Sequence, residues 1–160
     1  MKILYNINKE SEIMYETLKS DIVSAMKAKD TLKLQTLRGV KGDIDLEHIN
    51  KKVEINDELA ITVLSRQIKT RKESIKEFEK GNRQDLIDKT NAEIELLQTY
   101  LPKQLDESEI VEIIEEVFKK VNPTSSKEMG LIMKEITPLV KGKADMSLVS
   151  KSIKDKLSSL

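Results

Sequence analysis

An all-α fold is predicted, and three observations predict it. Apolar residues recur at three- and four-residue spacing along most of the chain, no stretch shows the strict alternation of a half-buried strand, and helix breakers are few, with 5 Gly and 3 Pro in 160 residues. Gly81, Pro102, Pro123 and Gly142 divide the sequence into pieces of helical length. The expected order is an N-terminal antiparallel helical bundle over residues 14–101, a linker at 102–105, and a small three-helix C-terminal domain over 106–160. Residues 1–13 are expected to be a disordered extension.

The elements follow in order. Met14 to Lys29 places Leu18, Ile22, Val23 and Met26 on one helical face, and Asp30 with Thr31 supplies a cap for the next helix. That helix carries Leu34, Leu37, Val40 and Ile44 and fades near Asn50. Asn56 or Asp57 caps a third, over residues 57–80, whose Ile61, Leu64, Ile68, Ile75 and Phe78 make it amphipathic, with Arg71 interrupting the stripe. After Gly81 and Asn82 a fourth presents Leu86, Ile87, Ile94, Leu97 and Leu101 before Pro102 stops it. Asp106 caps a fifth, with Ile110, Ile113, Ile114, Val117 and Val121 facing inward. A sixth uses Met129, Ile132, Met133, Ile136 and Val140, and Pro138 in its last turn removes one backbone donor. The seventh starts at Asp145 and carries Val149, Ile153, Leu157 and Leu160.

Composition narrows the chemistry. The chain has no Cys, which excludes disulfides, thiolate nucleophiles and cysteine-ligated metals. The one histidine, His48, sits in a polar stretch near a helix C-terminus, with no Ser or Cys expected beside it. Glycines stand apart, so neither common phosphate-binding loop is present, and the carboxylates show no calcium-loop spacing. An active site and a bound cofactor are therefore not expected. No run of 18 apolar residues exists and the first 14 lack an apolar signal stretch, so a soluble, cytoplasmic protein with no membrane contact is expected.

Net charge is zero, with 28 basic and 28 acidic residues, so any anion binding depends on where charge collects. On the third helix Arg66, Lys69, Lys72, Lys76 and Lys80 fall within an arc of about 120°, continued by Arg83. Such a row can follow a phosphate backbone, or it can be a solvated face partly balanced by Glu73 and Glu77. The fifth helix is acidic on its outer side through Glu107, Glu109, Glu112, Glu115 and Glu116, which fits solubility and the helix dipole better than acid and base catalysis. The last third is basic again, and its focus is the turn Lys141-Gly142-Lys143-Ala144-Asp145. Gly142 suits a left-handed helix end there and Asp145 a cap, so the lysines flank a helix start that can hold a phosphate or simply join two helices. Lys141, Lys143, Lys151 and Lys154 form one candidate contact surface, and Arg66, Lys69, Lys72 and Lys76 a second. With no Trp, 2 Phe and 3 Tyr, base stacking would contribute little.

Three stretches, ELAITVLSRQIKTRKESIKEF from Glu58, YLPKQL from Tyr100 and GLIMKEITPLVKGKAD from Gly130, together resemble the YqeY family. That family is the free-standing relative of the tail of GatB, a subunit of the tRNA-dependent amidotransferase. The likeness runs from about Met14 to Leu160. It implies a helical bundle joined to a three-helix tail, and a recognition module for tRNA, the alternative being a protein adaptor that docks on an amidotransferase or an aminoacyl-tRNA synthetase. It also invites the label of a carbon–nitrogen ligase using glutamine, for which the chain shows no activated nucleophile. Carried over by residue, the family's basic turn falls on Lys141, Lys143 and Asp145, with Gly130 and Met133 as packing positions. Met146 stands where the family often has Gly, which puts close backbone approach by a ligand in doubt.

Overall fold

The computed structural model describes residues 13–160, and its seven α-helices make up an all-α protein. They are α1 (Ile13–Lys27), α2 (Thr31–Lys51), α3 (Asp57–Lys80), α4 (Gln84–Gln98), α5 (Glu107–Val121), α6 (Met129–Val140) and α7 (Met146–Ser158), with one 3₁₀ turn at Ser126–Glu128. The extension expected over residues 1–13 reaches one residue too far, since Ile13 already opens α1; residues 1–12 lie outside the described residues.

Polar caps set the helix starts. Asp30 accepts from the Lys33 amide at 3.1 Å, and Asn56, not Asp57, caps α3 by accepting from Leu59 at 2.9 Å. Asp57 instead accepts the Met14 amide at 3.0 Å, which ties the start of α1 to the start of α3. Asp106 and Glu109 form a reciprocal capping box at 2.8 and 3.0 Å, and Asp145 accepts from Ser147 at 2.8 Å. At the far ends the chain turns left-handed at Lys29, Lys52, Asn82, Asn122 and Gly142. Asn82, not Gly81, supplies that turn after α3, and the Arg83 amide then reaches back to the Phe78 carbonyl at 3.0 Å.

The chain divides into two compact units at Leu101 and Pro102, each with its own core. In the first, Leu18 and Ile22 of α1, Leu37, Val40 and Ile44 of α2, Ala60, Val63, Leu64 and Ile68 of α3, and Ile94 and Leu97 of α4 are buried together. Each large side chain so buried contributes about 1.5–3 kcal/mol. Three expectations are corrected. Val23 and Met26 are exposed and Ala25 is buried instead, because the buried line of α1 runs through Leu18, Ile22 and Ala25. Ile61 is only half-buried, since Ala60 and Val63 occupy the inner line of α3. Thr36 is buried on α2 and Thr90 on α4, where Thr90 satisfies its hydroxyl on the Leu86 carbonyl at 2.7 Å.

Polar bonds cross this first core. The Tyr100 hydroxyl donates to Asp21, and burial, helped by that bond, pushes the phenol well above its ordinary value of 10.0. Arg71 donates to Glu93 of α4 at 2.7 Å and to the Gln67 side chain at 2.9 Å, while Gln67 reaches Asp43 of α2 at 2.7 Å. The interruption at Arg71 is therefore a side chain with fixed partners in the fold.

In the second unit Ile114, Val117 and Phe118 of α5, Ile132, Ile136 and Val140 of α6, and Val149, Ile153 and Leu157 of α7 form the core. Phe118 replaces Val121 on the inner line, and the Lys156 ammonium lies 5.1 Å from its ring centre. Leu160 is exposed, because α7 ends two residues earlier at Ser158. Gly130 is exposed and a Cβ there would meet nothing within 4 Å, so it is not a packing position; Met133 does pack against the core. Gln104 donates to the Gly142 carbonyl at 2.8 Å and the Leu105 amide to the Lys143 carbonyl at 2.8 Å, fastening the segment before α5 to the turn before α7.

Two consequences are measurable. Ile136→Ala, at a position with 0% exposure, should destabilise the second unit by about 2–5 kcal/mol in chemical denaturation. Because the Tyr100 phenol titrates above 10.0 only in the folded state, its stabilisation is complete below pH 10.0 and declines as pH rises beyond it. The stability advantage of the wild type over Tyr100→Phe should therefore shrink in alkaline thermal melts; an advantage that grows with pH would contradict the raised titration of the buried phenol.

Candidate nucleic-acid interface

The basic row on α3 is not uniform. Arg66 donates to Glu47, a carboxylate with 12% side-chain exposure that also pairs with Lys51 at 3.2 Å. The guanidinium holds that carboxyl below its usual range. Lys80 pairs with Glu77 at 2.8 Å, and Arg83 with Asp85 at 2.8 Å, drawing the Asp85 carboxyl down to about 2. These three cations already have carboxylate partners. Lys69, Lys72 and Lys76, three and four residues apart, are exposed, and no carboxylate among the described residues pairs with them. Their spacing keeps them on one side of α3, with Lys72, four residues after the buried Ile68, at the edge of that side.

The second candidate surface lies in the second unit. Gly142 is left-handed, with φ 74°, and Asp145 caps α7 as its position suggests. Lys143 is exposed and Lys141 half-buried. The amides of this corner are largely engaged: Lys143 and Ala144 donate to the Val140 carbonyl at 2.9 and 3.1 Å, and Ser147 donates to Asp145. Any anion held here would be met mainly by lysine side chains. Lys151 and Lys154 are exposed on α7, while Lys156 lies against Phe118. Lys120 pairs with Glu135 at 2.7 Å and lowers the titration of that carboxyl.

The sequence carried signals for part of this sorting. Glu77 stands three residues before Lys80 and Asp85 two after Arg83, both within pairing distance on local geometry. The Arg66 partner lies 19 residues away on α2 and has no local signature. His48 is exposed, with Nδ1 2.6 Å from the Val53 carbonyl, so it closes the end of α2. Among the described residues no group of three His, Asp or Glu side chains is placed to hold a metal ion, and no helix is long and apolar enough to cross a membrane.

Comparison with known proteins adds the lineage. The chain is 34% identical over 151 residues to "Altered inheritance of mitochondria protein 41, mitochondrial" of Vanderwaltozyma polyspora, covering 89% of this chain and 81% of that protein. It is 28% identical to the protein of the same name from Pyrenophora tritici-repentis, covering 89% and 80%, and 42% identical over 85 residues to that of Lachancea thermotolerans, covering 52% and 46%. These names correct the expectation of a cytoplasmic protein, since the relatives are mitochondrial. The sequence test behind that expectation sought an apolar export signal, whereas mitochondrial addresses are amphipathic and Arg-rich and leave no such mark. The model of the Yqey-like protein family matches residues 15–157, and the chain belongs to that family.

Proposed function

We propose that this chain is a tRNA-binding accessory module that performs no chemistry of its own, with the exposed face of α3 as its principal contact. The observation that carries the reading is the row Lys69, Lys72 and Lys76, exposed and without carboxylate partners among the described residues. Each phosphate neutralised by such a lysine releases condensed counterions, so affinity comes without base recognition. Lys143, Lys151 and Lys154 are the second contact in this reading. The family resemblance supplies tRNA as the RNA, and an antiparallel bundle joined to a three-helix tail as the arrangement that presents the two surfaces. The relatives' names make the mitochondrion the compartment proposed for the chain.

Binding of labelled total tRNA, followed by fluorescence anisotropy across salt, tests the reading. Wild-type affinity should fall steeply with salt. Replacing Lys69, Lys72 and Lys76 together by Ala should weaken binding and make the logarithmic salt slope shallower by about 2. Helicity should be unchanged, because all three side chains are exposed. A flat salt response in the wild type would defeat the reading. The triple change Lys143→Ala, Lys151→Ala and Lys154→Ala should weaken binding as well; undiminished affinity would confine the contact to α3. Capture of an amidotransferase or aminoacyl-tRNA synthetase that survives nuclease treatment would replace RNA binding with a protein-adaptor role.

A further inference from the structure

One carboxylate, that of Glu47, holds cations from two helices. Its Oε1 accepts from the Arg66 guanidinium of α3, and its Oε2 lies 3.2 Å from the ammonium of Lys51, in the last turn of α2. Glu47 is 12% exposed, against 70% for Glu77 and 63% for Asp85, the partners of Lys80 and Arg83. That difference matters, because water and salt weaken a pair between exposed groups more than one whose carboxylate is shielded. The Arg66 guanidinium also keeps the Glu47 carboxyl below its usual range, so it stays ionised at neutral pH.

The two cations are not buried with their partner. Arg66 is 48% exposed and Lys51 62%. Arg66 stands three residues before Lys69, at the head of the row Lys69, Lys72 and Lys76. A guanidinium carries five N–H donors, and the bond to Glu47 is made from Nη1. Burial therefore does not bar a phosphate from Arg66; the negative charge beside it does.

We infer that Glu47 is the specificity-determining residue of the α3 face, holding Arg66 and Lys51 back from the phosphate backbone and ending the RNA contact at Lys69. This rests on the RNA-binding reading of that face. A phosphate that approaches Arg66 meets the Glu47 carboxylate at the same place, so attraction to one is offset by repulsion from the other. Without that carboxylate the cations of Lys51, Arg66, Lys69, Lys72 and Lys76 would form one run shared by α2 and α3, open to any polyanion long enough to follow it. A shielded carboxylate at the end of the row limits how much affinity charge alone supplies, which is how an unwanted ligand is discriminated against.

A double-mutant cycle on the full chain, read by anisotropy of labelled total tRNA across salt, tests the inference. Glu47→Gln keeps the shape of the side chain and an acceptor for Arg66 while removing the charge. It should tighten binding and steepen the logarithmic salt slope by about 1 to 2, as Arg66 and Lys51 join the contact. Arg66→Gln should leave the slope unchanged in the wild-type background and make it shallower by about 1 in the Glu47→Gln background. A second measurement needs no substitution: tRNA should leave the rate at which phenylglyoxal modifies Arg66 of the wild-type protein unchanged. A slope lowered equally by Arg66→Gln in both backgrounds, or protection of Arg66 by tRNA, overturns the inference and leaves the RNA reading of α3 standing. A flat salt response in the wild type defeats that reading itself, and this inference with it.

Discussion

The first unit depends on burial of a single line of side chains, Leu37, Val40 and Ile44 on α2, each at 0% exposure. This line fixes the rotation of α2 about its own axis, and the rotation decides what every other residue of the helix can do. Asp43 is brought to Gln67, Asp45 to Tyr15 and Glu47 to Arg66, so three successive odd-numbered carboxylates each receive a donor from another helix. The same rotation turns Gly39, Gly42, Leu46 and Ile49 outward. Packing of one face thus dictates the chemistry of the other.

That constraint also sorts the cations of α3. Glu47 pairs Arg66 to α2 and Glu93 pairs Arg71 to α4, which ties α3 to both neighbouring helices. Half-buried pairs of this kind fix geometry more than they add net stability, since each ion gives up part of its hydration to meet its partner. Lys69, Lys72 and Lys76 have no such partners among the described residues and are exposed. A charge row that looks continuous in sequence is therefore two populations, one structural and one available to an outside anion.

The helices were legible in the sequence because their starts are written in Asp30, Asn56, Asp106 and Asp145, whose side chains cap by local geometry. The inward faces of α2 and α6 were legible through their three- and four-residue intervals, whereas α5 buries Phe118 in place of Val121 and α7 ends before Leu160. Face assignment failed on α1, where the buried line runs through Leu18, Ile22 and Ala25 at four- and three-residue intervals and the larger Val23 and Met26 fall outside it. The candidate sites were legible only as charge. Long-range pairs such as Arg66 with Glu47 and Tyr100 with Asp21, 79 residues apart, follow from tertiary packing that no local pattern encodes. The hydrogen bonds that join Gln104 and Leu105 to the Lys141–Asp145 turn are of the same kind: both segments stood out in the sequence, and their contact did not.

In the proposed role, RNA reads the lysines of α3 that lack carboxylate partners among the described residues and passes over the paired ones. Lysine acetylation followed by mass spectrometry, with and without total tRNA, addresses it residue by residue. tRNA should slow modification of Lys69, Lys72 and Lys76 and leave Lys80, paired with Glu77, at its original rate. Equal rates at all four positions in the presence and absence of tRNA would contradict it.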